Sequence, residues 1–162
     1  MIIWLASYPN SGNDFLRSLL SSYIFSKDGS YNEDVIQNID EFPNNSLFKK
    51  LGVDTNNLDE MNKNYINSQK ILNKKDSIMF LKTFSCFVHT DKFKFTDRNN
   101  TLGVIYVVRD PRNIVFPLSQ SFQLSEEQSL HNLLIKTYLG KESQYHCTTY
   151  LSSWKDHYNS WK

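Results

Sequence analysis

Apolar positions in this chain fall into two patterns. Ile2-Ile3-Trp4-Leu5-Ala6, Ile78-Met79-Phe80-Leu81 and Gly103-Val104-Ile105-Tyr106-Val107-Val108 are short continuous runs, as expected of strands buried on both faces. Elsewhere the apolar residues recur three and four apart, which predicts helices. Phe15, Leu16, Leu19, Leu20, Tyr23 and Ile24 mark a first helix closing near Gly29. Ile114, Val115, Leu118 and Phe122 mark another, which Asp110 can cap and Pro111 can open. A third starts at the capping box Ser125-Glu126-Glu127-Gln128, buries Leu130, Leu133, Leu134 and Tyr138, and stops at Gly140. Tyr150, Leu151, Trp154, Tyr158 and Trp161 give the last. Residues 30 to 77 are rich in Asn, Asp and Lys and only weakly periodic. There the sequence predicts a turn at Pro43-Asn44-Asn45 and short helices from Ser46 to Leu51 and from Leu58 to Leu72.

Apolar strands alternating with helices imply an α/β fold with a parallel sheet flanked by helices. Ligands of such sheets sit beyond the carboxyl ends of the strands. Those ends carry the loop Tyr8-Pro9-Asn10-Ser11-Gly12-Asn13-Asp14, then Lys82, then Arg109. A strand–loop–helix junction aims backbone N–H groups and the positive end of a helix dipole at one point, which suits a phosphate-like anion. An ordinary strand-to-helix turn would have the same pattern, and Arg109 would also suit a salt bridge to Asp110.

Composition narrows the classes. The chain has 162 residues and 40% hydrophobic content, enough for one domain with a core. The net charge of +1 does not point to nucleic acid or an anionic membrane. Cys86 and Cys147 have neither metal-ligand spacing nor the density of a disulfide scaffold. Free thiols in a reducing compartment, and no metal, are expected. The opening apolar run is too short for a signal peptide and no stretch is long enough to span a bilayer, so a cytoplasmic protein is expected.

With these features in place, the chain resembles the PAPS-dependent sulfotransferase family. Tyr8-Pro9-Asn10-Ser11-Gly12 resembles the family's 5′-phosphosulfate loop, and Val107-Val108-Arg109-Asp110-Pro111-Arg112-Asn113 its 3′-phosphate motif. Phe80-Leu81-Lys82-Thr83 is similar to the intervening strand end, and Ser153-Trp154-Lys155-Asp156-His157 to a Trp-bearing helix further on. The resemblance implies a P-loop-like parallel sheet and transfer of a sulfuryl group from 3′-phosphoadenosine 5′-phosphosulfate (PAPS) to a hydroxyl or amine acceptor, leaving PAP. It also implies nucleotide contacts from Ser11, Gly12, Asn13, Asp14, Arg109 and Ser119. Lys82 and Asn10 take the catalytic positions, and no metal is involved.

Four positions depart from the family pattern. Asn10 replaces a loop cation, and a lost charged hydrogen bond costs roughly 1.5–3 kcal/mol. Asp14 replaces a Thr, and two like charges about 4 Å apart repel by ~4 kcal/mol at a surface-like dielectric. Phe84 stands where the family has its general base, whose loss typically costs about 10²–10⁴ in rate. Pro117 stands where a Ser holds the 3′-phosphate, with Ser119 or Ser121 as the residues able to compensate. His89 is a candidate replacement base. Arg17 and Arg112 are candidates to restore charge, or face water. Asp14 also suits a helix N-cap or first turn without any ligand.

Family members continue beyond the Trp helix, so a natural short form or part of a longer protein is expected. The competing reading is a catalytically impaired or inactive sulfotransferase-fold module for nucleotide binding or interaction. A P-loop kinase or NTPase is set aside, because its Gly-Lys-Ser/Thr loop is not in the sequence. The aromatic face of the last helix makes a homo-oligomer conceivable.

Overall fold

Strand β1 (Ile2–Ser7) is the spine of the molecule, with Ile2, Trp4, Leu5 and Ala6 fully buried. The structure, a computed structural model, describes residues 1–73, 77–89, 93–139 and 147–162. From β1 the chain passes through helix α1 (Asn13–Phe25), a short α2 (Glu33–Ile36) and a two-residue strand β2 (Asp40–Glu41). Helices α3 (Asn45–Lys50), α4 (Leu58–Lys63) and α5 (Tyr65–Leu72) follow, then strands β3 (Met79–Thr83) and β4 (Thr101–Val107). Beyond them lie a 3₁₀ turn at Pro111–Asn113, helices α6 (Val115–Phe122) and α7 (Glu126–Leu134), a small hairpin of β5 (Tyr138–Leu139) and β6 (Thr149–Tyr150), and α8 (Trp154–Trp161).

Among the described residues the main sheet is four-stranded and wholly parallel, in the order β2-β3-β1-β4. Trp4 pairs with Leu81 and Val104 on one face, and Leu5 with Lys82 and Ile105 on the other. The Trp4 face carries the main core, in which Phe42, Phe48, Tyr65 and Phe95 gather around the indole. Such edge-on aromatic contacts add about 0.5–1.5 kcal/mol each beyond the area they bury. Its polar seam is closed: Trp4 Nε1 donates to Thr101 Oγ1, which shares a hydrogen bond with Thr96. Gln69, fully buried, donates to the Phe95 carbonyl at 2.6 Å. A second cluster of Tyr8, Ile114, Leu118, Leu133 and Leu151 sits at the carboxyl ends of the strands.

Several elements differ from the sequence-based expectation for identifiable reasons. The helix expected over 58–72 is broken at Asn64, whose N–H bonds to Met61 O while its side chain donates to Glu60 O. Pro117 does not kink α6: it falls in the helix's first turn, where the missing N–H has no intrahelical partner to lose. Asp110 caps the 3₁₀ turn ahead of it, accepting from Arg112 N. The capping box at Ser125 is formed, but α7 ends at Leu134, and Tyr138 belongs to β5. Gly140, the expected stop, lies outside the described residues. The last helix begins only at Trp154, capped by Ser153, because Tyr150 is in β6.

Burial differs too. The aromatic face of α8 is covered: Trp161 donates to Ser85 O at 2.9 Å and packs on Phe87 and Phe95. Exposed apolar side chains lie instead on α1 and β4, among them Phe15, Leu19, Tyr23, Val104 and Ile105. The Leu5 face of the sheet is covered by α1, which buries Asn13, Ser21 and Ser22 in place of its apolar stripe. Edge strand β4 is half open despite its apolar sequence.

Candidate functional site

The loop between β1 and α1 turns on two left-handed residues, Asn10 at φ 59° and Gly12 at φ 105°. Asn tolerates this region, whereas a β-carbon at Gly12 would be strained by its φ even though the nearest atom, Val107 Cγ1, would be 3.8 Å away. Gly12 is therefore the N-cap of α1, and it leaves the first-turn amides without a side-chain cap. Beside them the buried Ser11 hydroxyl has no hydrogen-bond partner among the described residues. Uncapped amides, a helix dipole and an unsatisfied buried hydroxyl together fit an anionic oxygen.

Asn13 has another task. Its Nδ2 donates to Leu5 O at 2.9 Å and Ser7 Oγ at 3.1 Å, with Thr83 O at 3.5 Å. It staples the ends of β1 and β3 beneath the loop.

These strand ends enclose a cavity of about 390 Å³, within the usual range for small-molecule sites. The loop, Lys82, Phe84, Arg109, Ser121 and Phe122 line it. Arg109 lies close enough to the loop for Nη1 to donate to Asn10 O at 3.1 Å. Ser121 Oγ donates to Asn10 Oδ1 at 3.3 Å. Ser119, the expected 3′-phosphate contact, is buried and donates to Phe116 O within its own helix. Ser121 is the α6 serine that reaches the cavity.

Charge in the cavity is largely balanced internally. Lys82 is buried, with only 7% of its side chain exposed, and Nζ lies 2.7 Å from Asp14 Oδ1 and 3.6 Å from Glu41 Oε2. Its ammonium also sits 4.4 Å from the centroid of the Phe84 ring, a cation–π distance. Asp14 is thus a first-turn acid of α1 that takes the ammonium directly. Glu41 escaped the sequence reading because its strand is two residues long, too short for any hydropathy pattern to register.

The floor is held from below by His157, fully buried on α8. Its Nε2 lies 2.9 Å from the Phe84 carbonyl and its Nδ1 2.8 Å from the Tyr106 hydroxyl. A carbonyl can only accept, so the neutral ring donates from Nε2 and accepts the Tyr106 proton at Nδ1. Burial pushes the imidazole down to about 4, with the Phe84 carbonyl opposing weakly. Burial also raises the Tyr8 phenol, which packs edge-on to that ring.

The other candidates lie apart. His89 is exposed and bridges to Lys94, beside a separate hollow. Arg17 donates Nε to Ile39 O at 2.7 Å, and Arg112 is paired with Asp110. Cys86 and Cys147 are buried and form no disulfide among the described residues, and Cys147 touches the cavity. Among the described residues no group of His, Cys, Asp and Glu is arranged to hold a metal ion, and no helix is long and apolar enough to cross a membrane.

In comparisons with known proteins, no family model matches the chain. No curated protein matches it either.

Proposed function

We propose that this chain is a sulfotransferase-like domain whose cavity binds PAPS and PAP, and that sulfuryl transfer to a hydroxyl or amine acceptor is its ancestral activity. One observation carries this reading: the uncapped start of α1 and Arg109 line a single cavity, and the buried Ser11 hydroxyl next to that helix start has no hydrogen-bond partner among the described residues. A nucleotide with phosphate at both its 5′ and 3′ ends needs two such anion-binding groups. The α1 amides, Ser11 and the Asn10 amide would hold the 5′ end; Arg109 and Ser121 would hold the 3′ end.

Transfer requires the acceptor to attack sulfur while the S–O bond to the 5′-phosphate breaks, so charge grows on that phosphate and a proton leaves the acceptor. Lys82 would be the cation that neutralises the phosphate. Phe84 cannot take the proton; the carboxylates that line the cavity are Asp14 and Glu41. The pairing of Lys82 with Asp14 favours a second reading, a nucleotide-binding module that no longer transfers.

Thermal melting with added PAP tests the binding. At about a hundred times the dissociation constant the nucleotide should add ~2.7 kcal/mol of stability, and Arg109→Ala should remove the shift. No shift at millimolar PAP overturns the proposal, and a shift that survives Arg109→Ala moves the 3′ end elsewhere. Turnover of PAPS by a chain that binds PAP separates the active from the inactive reading.

A further inference from the structure

We propose that the loop between β1 and α1 is a self-inhibiting latch: its own oxygens engage the cavity's donors, and a nucleotide must displace them to be held. This rests on the function proposed above and adds how that site is controlled. Three contacts make the latch. Lys82 Nζ lies 2.7 Å from Asp14 Oδ1, Arg109 Nη1 donates to Asn10 O at 3.1 Å, and Ser121 Oγ donates to Asn10 Oδ1 at 3.3 Å. The donors come from the end of β3, the segment after β4, and α6. They stand 68, 99 and 111 residues from their acceptors, so no local turn brings them to the loop. Each acceptor is an oxygen of the loop, and the phosphates of a nucleotide likewise offer only acceptor oxygens to these donors.

The contacts differ in how readily a phosphate replaces them. Ser121 has one proton to give, so its bond to Asn10 Oδ1 must break before it can hold a phosphate. That exchange runs downhill, because a hydrogen bond to a charged oxygen is roughly twice as strong as one between neutral groups. Arg109 exchanges a carbonyl for an anion, which also favours the nucleotide. Lys82 is the firm member, since Asp14 is itself an anion. The Asp14 carboxylate has water to move into, being 74% exposed, and Glu41 at 3.6 Å keeps the buried ammonium paired when it leaves. The start of α1 and the Ser11 hydroxyl take no part in the latch. The 5′ end of the nucleotide therefore docks there first, and the latched donors change partner after it.

A site open only part of the time has its apparent dissociation constant raised by the inverse of the open fraction. One hydrogen bond of this kind is worth about 2- to 10-fold in such an equilibrium. The three contacts all hold residues 10 to 14, so releasing one loosens the others. The gains from releasing two are then smaller than their product.

The test is calorimetric titration of PAP, at low and high salt, into wild type, Asn10→Gly, Asp14→Asn and the double variant. Asn10→Gly removes the side-chain oxygen, changes no charge, and keeps the backbone amide assigned above to the 5′ end. Glycine also accepts the left-handed φ of 59° at that position. The variant should bind PAP about 2- to 10-fold tighter at either salt, and the double variant should gain less than the product of the two single gains. If wild type binds and Asn10→Gly binds no tighter, or the double variant gains the full product, the latch is overturned and the proposed function stands. A double variant that binds where wild type does not supports the latch, while the proposed function fails for the wild-type chain. Absence of binding by all four proteins overturns both.

Discussion

Replacing Asp14 by Asn should strengthen PAP binding, and the structure sets the scale of the gain. Asp14 Oδ1 lies 2.7 Å from Lys82 Nζ, so a phosphate drawn to that ammonium would come within about 4 Å of the carboxylate. Two unit charges at that distance repel by ~4 kcal/mol at an effective dielectric of about 20. The Asp14 side chain is 74% exposed, so solvent and salt remove much of this. A net gain of about 1–2 kcal/mol remains, which is roughly 5- to 30-fold in affinity. The fold should tolerate the change, because Glu41 still stands 3.6 Å from Lys82 and the Asn amide can occupy the same first-turn position. Calorimetric titration of PAP into wild type and Asp14→Asn at low and high salt measures the effect. The gain should shrink as salt rises, since it is Coulombic. Equal or weaker binding by the variant at low salt would show that Asp14 does not face the phosphate.

The His157 imidazole, held down near 4 against an ordinary value of 6.5, ties stability to pH. Between those values the unfolded chain binds a proton that the native state refuses, so its contribution is whole above pH 6.5 and is lost as pH falls toward 4. The loss amounts to something on the order of 3 kcal/mol. Urea unfolding at pH 7.5 and 4.5 should therefore show a smaller drop for His157→Gln than for wild type; equal drops would clear the histidine. Asn13→Ala removes the staple between β1 and β3 and should cost about 1–3 kcal/mol. In a chain of this size that lowers the melting temperature by roughly 2–12 °C, and an unchanged melting curve would mean the strand ends do not need it.

Strand–helix alternation gave away the parallel sheet, because buried strands must be apolar throughout and helices must carry a stripe. The positions of Lys82 and Arg109 were legible for the same reason: each follows the last apolar residue of a strand and must emerge at its carboxyl end. Coverage of the sheet could not be read that way. The α1 stripe and β4 look like core material, yet Tyr23 and Val104 are exposed, because hydropathy reports what a residue prefers and not whether a neighbour is there to cover it. The pairing of Asp14 with Lys82 spans 68 residues, and no local pattern encodes such a distance. Glu41 and His157 were missed for related reasons. One sits on a strand two residues long, and the other is a lone His in an aromatic helix, where burial and tautomer decide its part.

Position 84 shows how the site divides between backbone and side chain. Its ring lies against the Lys82 ammonium and its carbonyl accepts from His157, so both parts of the residue fix the cavity floor. The cavity's shape comes from backbone and buried contacts: the left-handed loop, the Asn13 staple, and the His157 bond to the strand end. Its charge comes from side chains that can change one at a time, and these now neutralise one another through Lys82, Asp14 and Glu41. The two layers should respond differently to mutation. Removing the internal anion at Asp14 leaves Lys82 with Glu41 alone in a cavity already formed, so on the proposed function one substitution should strengthen nucleotide binding. Transfer needs a base at a place where a phenyl ring now packs against a buried lysine, and a His there would set imidazolium against ammonium. On the proposed function, affinity is therefore the easier property to strengthen, and PAP binding, more than turnover, is the measurement that tests that proposal.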